Sequence, residues 1–339
     1  MFGAVKVGGE RVWQTEQEKY VRLLPQAIGV KPRGRSRRLE RALTDFGCEH
    51  SFRHAAARVL EHYGFEINAS AVRNATLQSA RKAQETLHQE YKEPFRVLPA
   101  AGAQYVVAEA DGSMVCTVAS GPRKGQRPRD WREIRLAAAQ AVGRTDTFYA
   151  ATFGEVAELG CRWGHCARRA GWGLNSQVHA LGDGAPWIRL QTKEVFGAQA
   201  TFLCDYFHVS EYLAAAALSC RPRAPEHWRK TQQARLKRGA VGKIMEALEQ
   251  YLEPPSTPEE LAPVTNAYRY LSNRTDCVDY PRALELGLPI GSGLIESGHR
   301  HVLQARLKKA GAAWLIDNAE SIANLRVLRA NGQWTILWN

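Results

Sequence analysis

The sequence predicts a mixed α/β protein with one helical region before its α/β part and a second helical region inside it. Three observations lead to this fold class. Residues 35–93 carry helix caps and helical periodicity without strand signals. Residues 104–218 alternate short apolar runs with helical segments, which is the order of an α/β domain. Strand signals then disappear between residues 219 and 288.

The N-terminal helical region predicts a helix-turn-helix. Ser51 is a suitable N-cap for a helix from Phe52 to Tyr63. Gly64 then breaks the helical pattern, and Asn68 or Ser70 caps a second helix. Two capped helices around a short turn are typical of DNA-binding motifs, but the same pattern also occurs where helices only pack together. The residues that would face a DNA groove are Arg73 and Asn74.

The α/β part is predicted to run as strands, then helix, strand, helix, strand and helix. The predicted elements are strands at 105–118 (two strands joined near 112–113), 132–136 and 147–151, a helix at 155–170, a strand at 177–181, a helix at 186–196, a strand at 201–204 and a helix at 209–218. This order matches that of ribonuclease H-like folds. We therefore predict a ribonuclease H-like core.

The residues after this core predict an all-helical insertion. Pro222, Pro225 and the Pro-rich loop 253–258 separate helical segments, and no strand pattern returns before residue 289. The predicted domains are an N-terminal helical region (1–93), the first part of the ribonuclease H-like core (94–218), the helical insertion (219–288) and C-terminal helices that complete the core (289–339).

Composition excludes several classes of protein. The hydrophobic content of 45% and charged content of 24% are ordinary for a globular chain. The sequence has no run of about 18 apolar residues, so no membrane span is expected, and Met1 to Trp13 lacks the apolar core of a secretory signal. The seven scattered cysteines indicate reduced thiols in a cytoplasm. Cys161, His165 and Cys166 lack the paired spacing of a zinc finger and predict packing instead.

Positive charge is concentrated in three runs, Lys31 to Arg41, Arg221 to Lys243 and His299 to Lys309, on a chain with a net charge of +12. A single basic run is usually a solvated helix face, but three such runs favour a polyanionic partner such as nucleic acid. The expected DNA contacts in the second and third runs are Arg229, Lys230, Arg235, Lys237, Arg238, Arg300, Arg306 and Lys308. Trp228, which lies among these cations, is expected to be buried in the insertion.

Three acidic residues lie next to glycines at separate points of the chain. Asp111 and Asp183 each end a predicted strand, and Glu296 follows Gly291-Ser292-Gly293 at the start of a basic helix. Each has an alternative structural interpretation, because Asp-Gly is a common turn and acids favour helix N-termini. Together, three carboxylates at one edge of a sheet could hold two divalent ions for phosphoryl transfer. We therefore expect a metal-binding catalytic triad of Asp111, Asp183 and Glu296.

From Gln104 to the C-terminus the sequence resembles the DDE transposases of bacterial insertion sequences, in the Kra-type branch related to the Mutator-like group. The segments that carry the resemblance are Ala110–Met114, Trp131–Arg135, Gly182–Ile188, Asp205–His208, Leu288–Ser297, Arg306–Gly311, Trp314 and Asn331–Trp334. The resemblance implies the triad of Asp111, Asp183 and Glu296, two Mg²⁺ or Mn²⁺ ions and a helical insertion. It also implies that Asp205 and His208 support the active site, although a helix-capping Asp and a packed His would fit equally well.

These patterns lead to an expected function. We expect a transposase that binds terminal inverted repeats and target sites in double-stranded DNA, acts as a homodimer or larger assembly, and lies at the nucleoid in the cytoplasm. It would cleave DNA strands and transfer them without a covalent protein–DNA intermediate. The alternatives are another ribonuclease H-like nuclease or resolvase, and a domesticated DNA-binding protein that uses only its N-terminal helices.

Overall fold

The computed structural model describes residues 12–14, 20–22, 35–120 and 128–339. The rest of the N-terminal segment lies outside the described residues, including the first part of the basic run Lys31 to Arg41. In the described part of the N-terminal segment, β1 (Val12–Gln14) pairs antiparallel with β2 (Tyr20–Arg22). The expectation of an all-helical N-terminal region was therefore wrong, and the aromatic and β-branched residues of these two segments explain the strands.

The described helices and strands alternate as an α/β chain between two helical regions. The strands that follow are β3 (Tyr105–Val118), β4 (Arg129–Ala141), β5 (Thr147–Thr152), β6 (Gln177–Gly182) and β7 (Ala200–Cys204). The helices are α1 (Arg37–Glu49), α2 (Phe52–Tyr63), α3 (Ala69–Glu90), α4 (Val156–Arg169), α5 (Pro186–Phe196), α6 (Tyr206–Cys220), α7 (Pro225–Lys237), α8 (Val241–Glu249), α9 (Pro263–Ser272), α10 (Tyr280–Glu285), α11 (Gly293–Gly298), α12 (Ala305–Leu307) and α13 (Ile316–Ala330). A π-helical turn, His299–Gln304, joins α11 to α12.

The chain divides into two compact units. One unit holds the described residues of the ranges 1–92, 115–132 and 301–339, and the other, here called the sheet unit, holds residues 93–114 and 133–300. Among the described residues, no helix is long and apolar enough to cross a membrane.

The first unit contains the predicted helix-turn-helix pattern. The Ser51 side chain accepts a hydrogen bond from the amide of His54, and the Asn68 side chain accepts one from the amide of Ala71, so both predicted caps are confirmed. Gly64 ends α2 with a φ of 70°, a conformation that glycine adopts without strain. A small core forms from α1, α2 and α3, and its buried members are Leu43, Ala55, Val59, Val72 and Ala75.

A five-stranded mixed sheet has the order β5-β4-β3-β6-β7. β3 and β7 each pair with β6 in parallel, and β4 pairs with β5 antiparallel. The predicted break near Gly112-Ser113 was wrong, because β3 is one strand of 14 residues. The φ of Gly112 is not among the positive values that a tight Asp-Gly hairpin requires. Buried residues on both sides of this position favour continued pairing over a turn.

The segment 219–288 is helical throughout its described secondary structure, as predicted, and its helices α7 to α10 pack on α6 and the sheet. Trp228, Leu236, Ile244, Leu248 and Tyr280 lie in one buried cluster with Val107, Leu181 and Leu203 of the strands. Trp228 therefore belongs to the core of the insertion, as expected. In α4, Leu159, Trp163 and Cys166 are also buried, which confirms the predicted packing face.

Candidate carboxylate site

The side chains of Asp111, Asp183 and Glu296 line one pocket of about 220 Å³ in the sheet unit. Asp111 lies within β3, Asp183 follows β6, and Glu296 lies on α11. The parallel register pairs Glu109 of β3 with Leu181 of β6. Asp111 and Asp183 each lie two residues beyond this pair, so the register brings them next to each other. The fold thus collects three acids that lie far apart in the sequence.

The loop that carries Asp183 is held from two directions. Its Oδ1 accepts a hydrogen bond of 2.8 Å from the amide of Ala185, at the start of α5. Tyr270 of the insertion donates its hydroxyl to the carbonyl of Asp183 at 2.6 Å. The Nε and Nη2 atoms of Arg274 donate to the carbonyl of Gly184 at 3.0 and 2.9 Å. The loop is therefore fixed through its backbone, and Asp183 Oδ2 has no hydrogen-bond partner among the described residues.

Asp205 links α6 to the loop before Glu296. Its Oδ1 caps α6 by accepting hydrogen bonds from the amides of Phe207, at 2.6 Å, and His208, at 3.1 Å. Its Oδ2 accepts the amide of Ser292 at 2.7 Å, and also the Ser292 hydroxyl. The helix-capping interpretation of Asp205 is therefore confirmed, and the same carboxylate also ties the Gly291–Gly293 loop to α6.

His208 lies half-buried on the wall of the same pocket. Its ring makes edge contacts with Tyr212 and Tyr270, with centroid distances of 5.4 and 5.7 Å. Its Nδ1 lies 3.5 Å from a carboxylate oxygen of Glu211, which is 78% exposed. The histidine therefore connects the pocket to Tyr212 of α6 and to Tyr270 of the insertion.

Glu109 is a buried acid that the sequence analysis missed. It is 1% exposed, and its Oε2 accepts a hydrogen bond of 2.8 Å from the amide of Ile295, next to Glu296. Burial raises the pKa of Glu109 to about 8, while the Ile295 amide acts in the opposite direction. An acid inside the apolar run Val106–Ala110 was the signal that could have identified it. Glu109 thus attaches α11 to the strand that carries Asp111.

His299 is the second residue that the sequence analysis did not single out. It is 5% exposed and begins the π-helical turn, and such turns often occur at functional sites. Its Nε2 lies 3.3 Å from Asp111 Oδ2, an ion pair when the imidazole is protonated. The other oxygen of Asp111 accepts the amide of Gly112 at 2.7 Å. One oxygen of the Asp111 carboxylate is therefore held by a backbone amide, and the imidazole of His299 lies close to the other oxygen without forming a hydrogen bond.

The donors of this pocket suit a hard cation, since carboxylate oxygens are the ligands that Mg²⁺ and Mn²⁺ prefer. Within residues 35–120 and 128–339, no three His, Cys, Asp or Glu side chains are already close enough together to hold a metal ion. The residue types fit such an ion, and the carboxylates would have to turn toward one another to bind it.

The expected DNA contacts differ in their surroundings. Arg73, Asn74, Lys230, Lys237, Arg238, Arg300 and Lys308 are exposed. Arg229 forms hydrogen bonds with Glu226, and Arg235 donates to the carbonyl of Lys243. Arg306 does not fit the expectation, because it is 3% exposed and its guanidinium lies 4.7 Å from the ring centres of both Phe52 and Trp314. It is a buried packing residue and cannot reach a phosphate.

Comparison with known proteins gives one family match. Residues 174–336 match the family described as "Uncharacterised protein family (UPF0236)". The matched stretch contains Asp183, Asp205 and Glu296 and begins after Asp111. No curated protein matches the chain. Over its C-terminal half the chain is therefore similar to the UPF0236 family.

Proposed function

We propose that the protein is a DNA transposase that cleaves and joins strands at Asp111, Asp183 and Glu296. The observation that carries this proposal is the meeting of these three acids, from two adjacent strands and a distant helix, in one pocket. The Glu296 carboxylate is exposed and has no hydrogen-bond partner among the described residues.

The sheet order supports a ribonuclease H-like core. In β5-β4-β3-β6-β7 the strand that carries Asp111 is central and lies beside the strand that leads to Asp183. The helical insertion lies between Asp183 and Glu296, where the resemblance to DDE transposases requires it. The matched family occurs in transposase-like proteins, which supports the same assignment.

The chemistry assigned to the pocket follows from its donors. In Asp111 and in Asp183, one carboxylate oxygen accepts a hydrogen bond from a nearby backbone amide. Among the described residues, the second oxygen of each carboxylate accepts no such bond and would be available to a metal ion. Two bound Mg²⁺ or Mn²⁺ ions would supply activation of the attacking oxygen and stabilisation of the leaving oxygen. Asp111, Asp183 and Glu296 would hold these ions, and His299 would keep the Asp111 carboxylate oriented. Asp205 would keep Glu296 within reach of the aspartates.

The substrate in this proposal is double-stranded DNA. The charge of +12 favours phosphate contacts. The capped helices α2 and α3, with exposed Arg73 and Asn74, would bind the terminal inverted repeats. The exposed cations of α7 would contact the flanking duplex. Two element ends must be joined, so we propose that the protein works as a dimer or larger assembly on DNA.

A cleavage assay tests the proposal. The protein is incubated with Mg²⁺ and labelled DNA that flanks its gene, and both strand cleavage and strand transfer are measured. Asp183→Asn is expected to abolish both reactions, because it removes one charge from the pocket. Asp146→Asn is the matched control, since Asp146 is exposed in the turn between β4 and β5. This control is expected to react like the wild type.

The alternatives predict different products. Metal-dependent cleavage without strand transfer would favour a nuclease or resolvase. DNA binding without cleavage under any divalent ion would favour a DNA-binding regulator and contradict the transposase assignment. Salt dependence of binding would not separate these functions, because each involves phosphate contacts.

A further inference from the structure

The helical insertion makes direct contact with the loop that carries Asp183. Tyr270 lies on α9, and Arg274 follows α9 by two residues. The Tyr270 hydroxyl donates to the carbonyl of Asp183, and Arg274 donates two hydrogen bonds to the carbonyl of Gly184. All of these residues belong to the sheet unit. Three hydrogen bonds from residues 87 and 90 positions further along the chain therefore converge on two consecutive carbonyl groups.

These donors are themselves held rigidly. The Arg274 guanidinium lies 4.1 Å from the centre of the Tyr270 ring. That ring stacks on Tyr212 of α6 with a centroid distance of 4.3 Å and an interplanar angle of 22°. His208 contacts both tyrosine rings edge-on.

Gly184 shows that loop and arginine fit each other closely. Its φ is +83°, and a Cβ atom at this position would lie 2.4 Å from Arg274 Nε and 2.9 Å from the Tyr270 hydroxyl oxygen. The loop therefore adopts a left-handed turn that brings its carbonyl against the guanidinium, which only glycine permits here without displacement.

We propose that Tyr270 and Arg274 are positioning residues for Asp183, so that the helical insertion braces the carboxylate pocket. They act on the backbone of Asp183 and Gly184 and thereby set the direction of the Asp183 carboxylate, while the same aromatic stack fixes His208. This inference rests on the proposed function and deepens it, because it gives the insertion a role in the metal site in addition to DNA contact.

Metal affinity without DNA tests the inference. Tyr270→Phe removes one hydroxyl and keeps the stacked ring, and Arg274→Lys keeps the charge but loses the two-pronged donor. Each is expected to weaken Mn²⁺ binding by about tenfold, as is typical when a residue that orients a metal ligand is removed. The controls on the same helix are Tyr268→Phe and Arg269→Lys, which are expected to bind like the wild type. Free Mn²⁺ is counted by electron paramagnetic resonance.

Hydrogen exchange gives a second measurement that needs no metal. Tyr270→Phe and Arg274→Lys should speed amide exchange in residues 183–188, whereas the two controls should not. Thermal unfolding of every variant shows that it is folded. The inference would be overturned if Tyr270→Phe and Arg274→Lys both bound Mn²⁺ as tightly as the wild type and showed unchanged amide exchange. The proposed function would not be affected by that result. If Asp183→Asn and the wild-type protein both fail to bind Mn²⁺, even with DNA, the proposed function and the inference fall together.

Discussion

Glu109 makes the stability of the metal-free protein depend on pH. Its pKa of about 8 lies above its ordinary value of 4.5 because burial disfavours the carboxylate. Between these values the folded protein holds a proton that the unfolded chain releases. Stability from this group is therefore complete below pH 4.5 and decreases as the pH rises toward 8. Each pKa unit corresponds to about 1.4 kcal/mol, so the free energy of unfolding that this group contributes falls by about 5 kcal/mol between pH 4.5 and about pH 8.

Replacement of Glu109 by Gln tests this reasoning. A glutamine keeps an oxygen that can accept the Ile295 amide, but it has no proton to lose. We expect its free energy of unfolding, measured by urea titration at pH 5 to 8 in EDTA, to gain about 1 kcal/mol per pH unit relative to the wild type. The control is Glu211→Gln, whose side chain is 78% exposed. Parallel pH profiles for wild type and Glu109→Gln would refute the assignment of a buried proton.

Three further predictions concern single residues. In the native protein Cys161 should react first with a maleimide, because the other six cysteines are buried, and mass spectrometry of the labelled peptides checks this. Gly184→Ala should lower the free energy of unfolding by at least about 1 kcal/mol because of its left-handed backbone, and by more because the new Cβ clashes with Arg274. Gly287→Ala is the control for the backbone effect alone, since Gly287 has a φ of +67° and open space around it. Thermal melting compares the two variants. Glu253→Gln should lose less stability than the wild type as the pH falls below 4.5, the ordinary pKa of this group. Burial raises the pKa of Glu253, but hydrogen bonds at the start of α9 outweigh this effect and keep the pKa below its ordinary value. Acid titration of the circular dichroism signal measures the difference.

Local signals predicted the helices and several strands well. The bounds of α2 and α5 agree with the caps and prolines read from the sequence, because Ser51 and Pro186 act on neighbouring residues. The insertion was predicted as helical for the same reason. Such features depend on chemistry within a few residues, which a single sequence displays directly.

Features that depend on distant contacts were less predictable. The Asp111-Gly112 pair is a turn signal, yet pairing within the sheet keeps it extended. Arg306 belongs to a basic run, but Phe52 and Trp314 enclose it, and neither aromatic is adjacent to it in the sequence. Charge along a helix does not show which face is buried until the packing partners are known.

The pocket itself shows how far residue types alone can lead. The three carboxylates were found from their Gly-rich contexts, but the contacts that position them come from Tyr270, Ser292 and Glu109. Each of these three hydrogen bonds involves a backbone group. Tyr270 donates to the carbonyl of Asp183, the amide of Ser292 donates to Asp205, and the amide of Ile295 donates to Glu109.

A network of this kind can fix the chain while it leaves carboxylate oxygens free, and a bound cation requires such free oxygens. Changes in Tyr270, Ser292 or Glu109 should therefore alter metal affinity without removing a ligand. A site in which the acids served only as caps would show no such effect, because no cation would depend on their spacing.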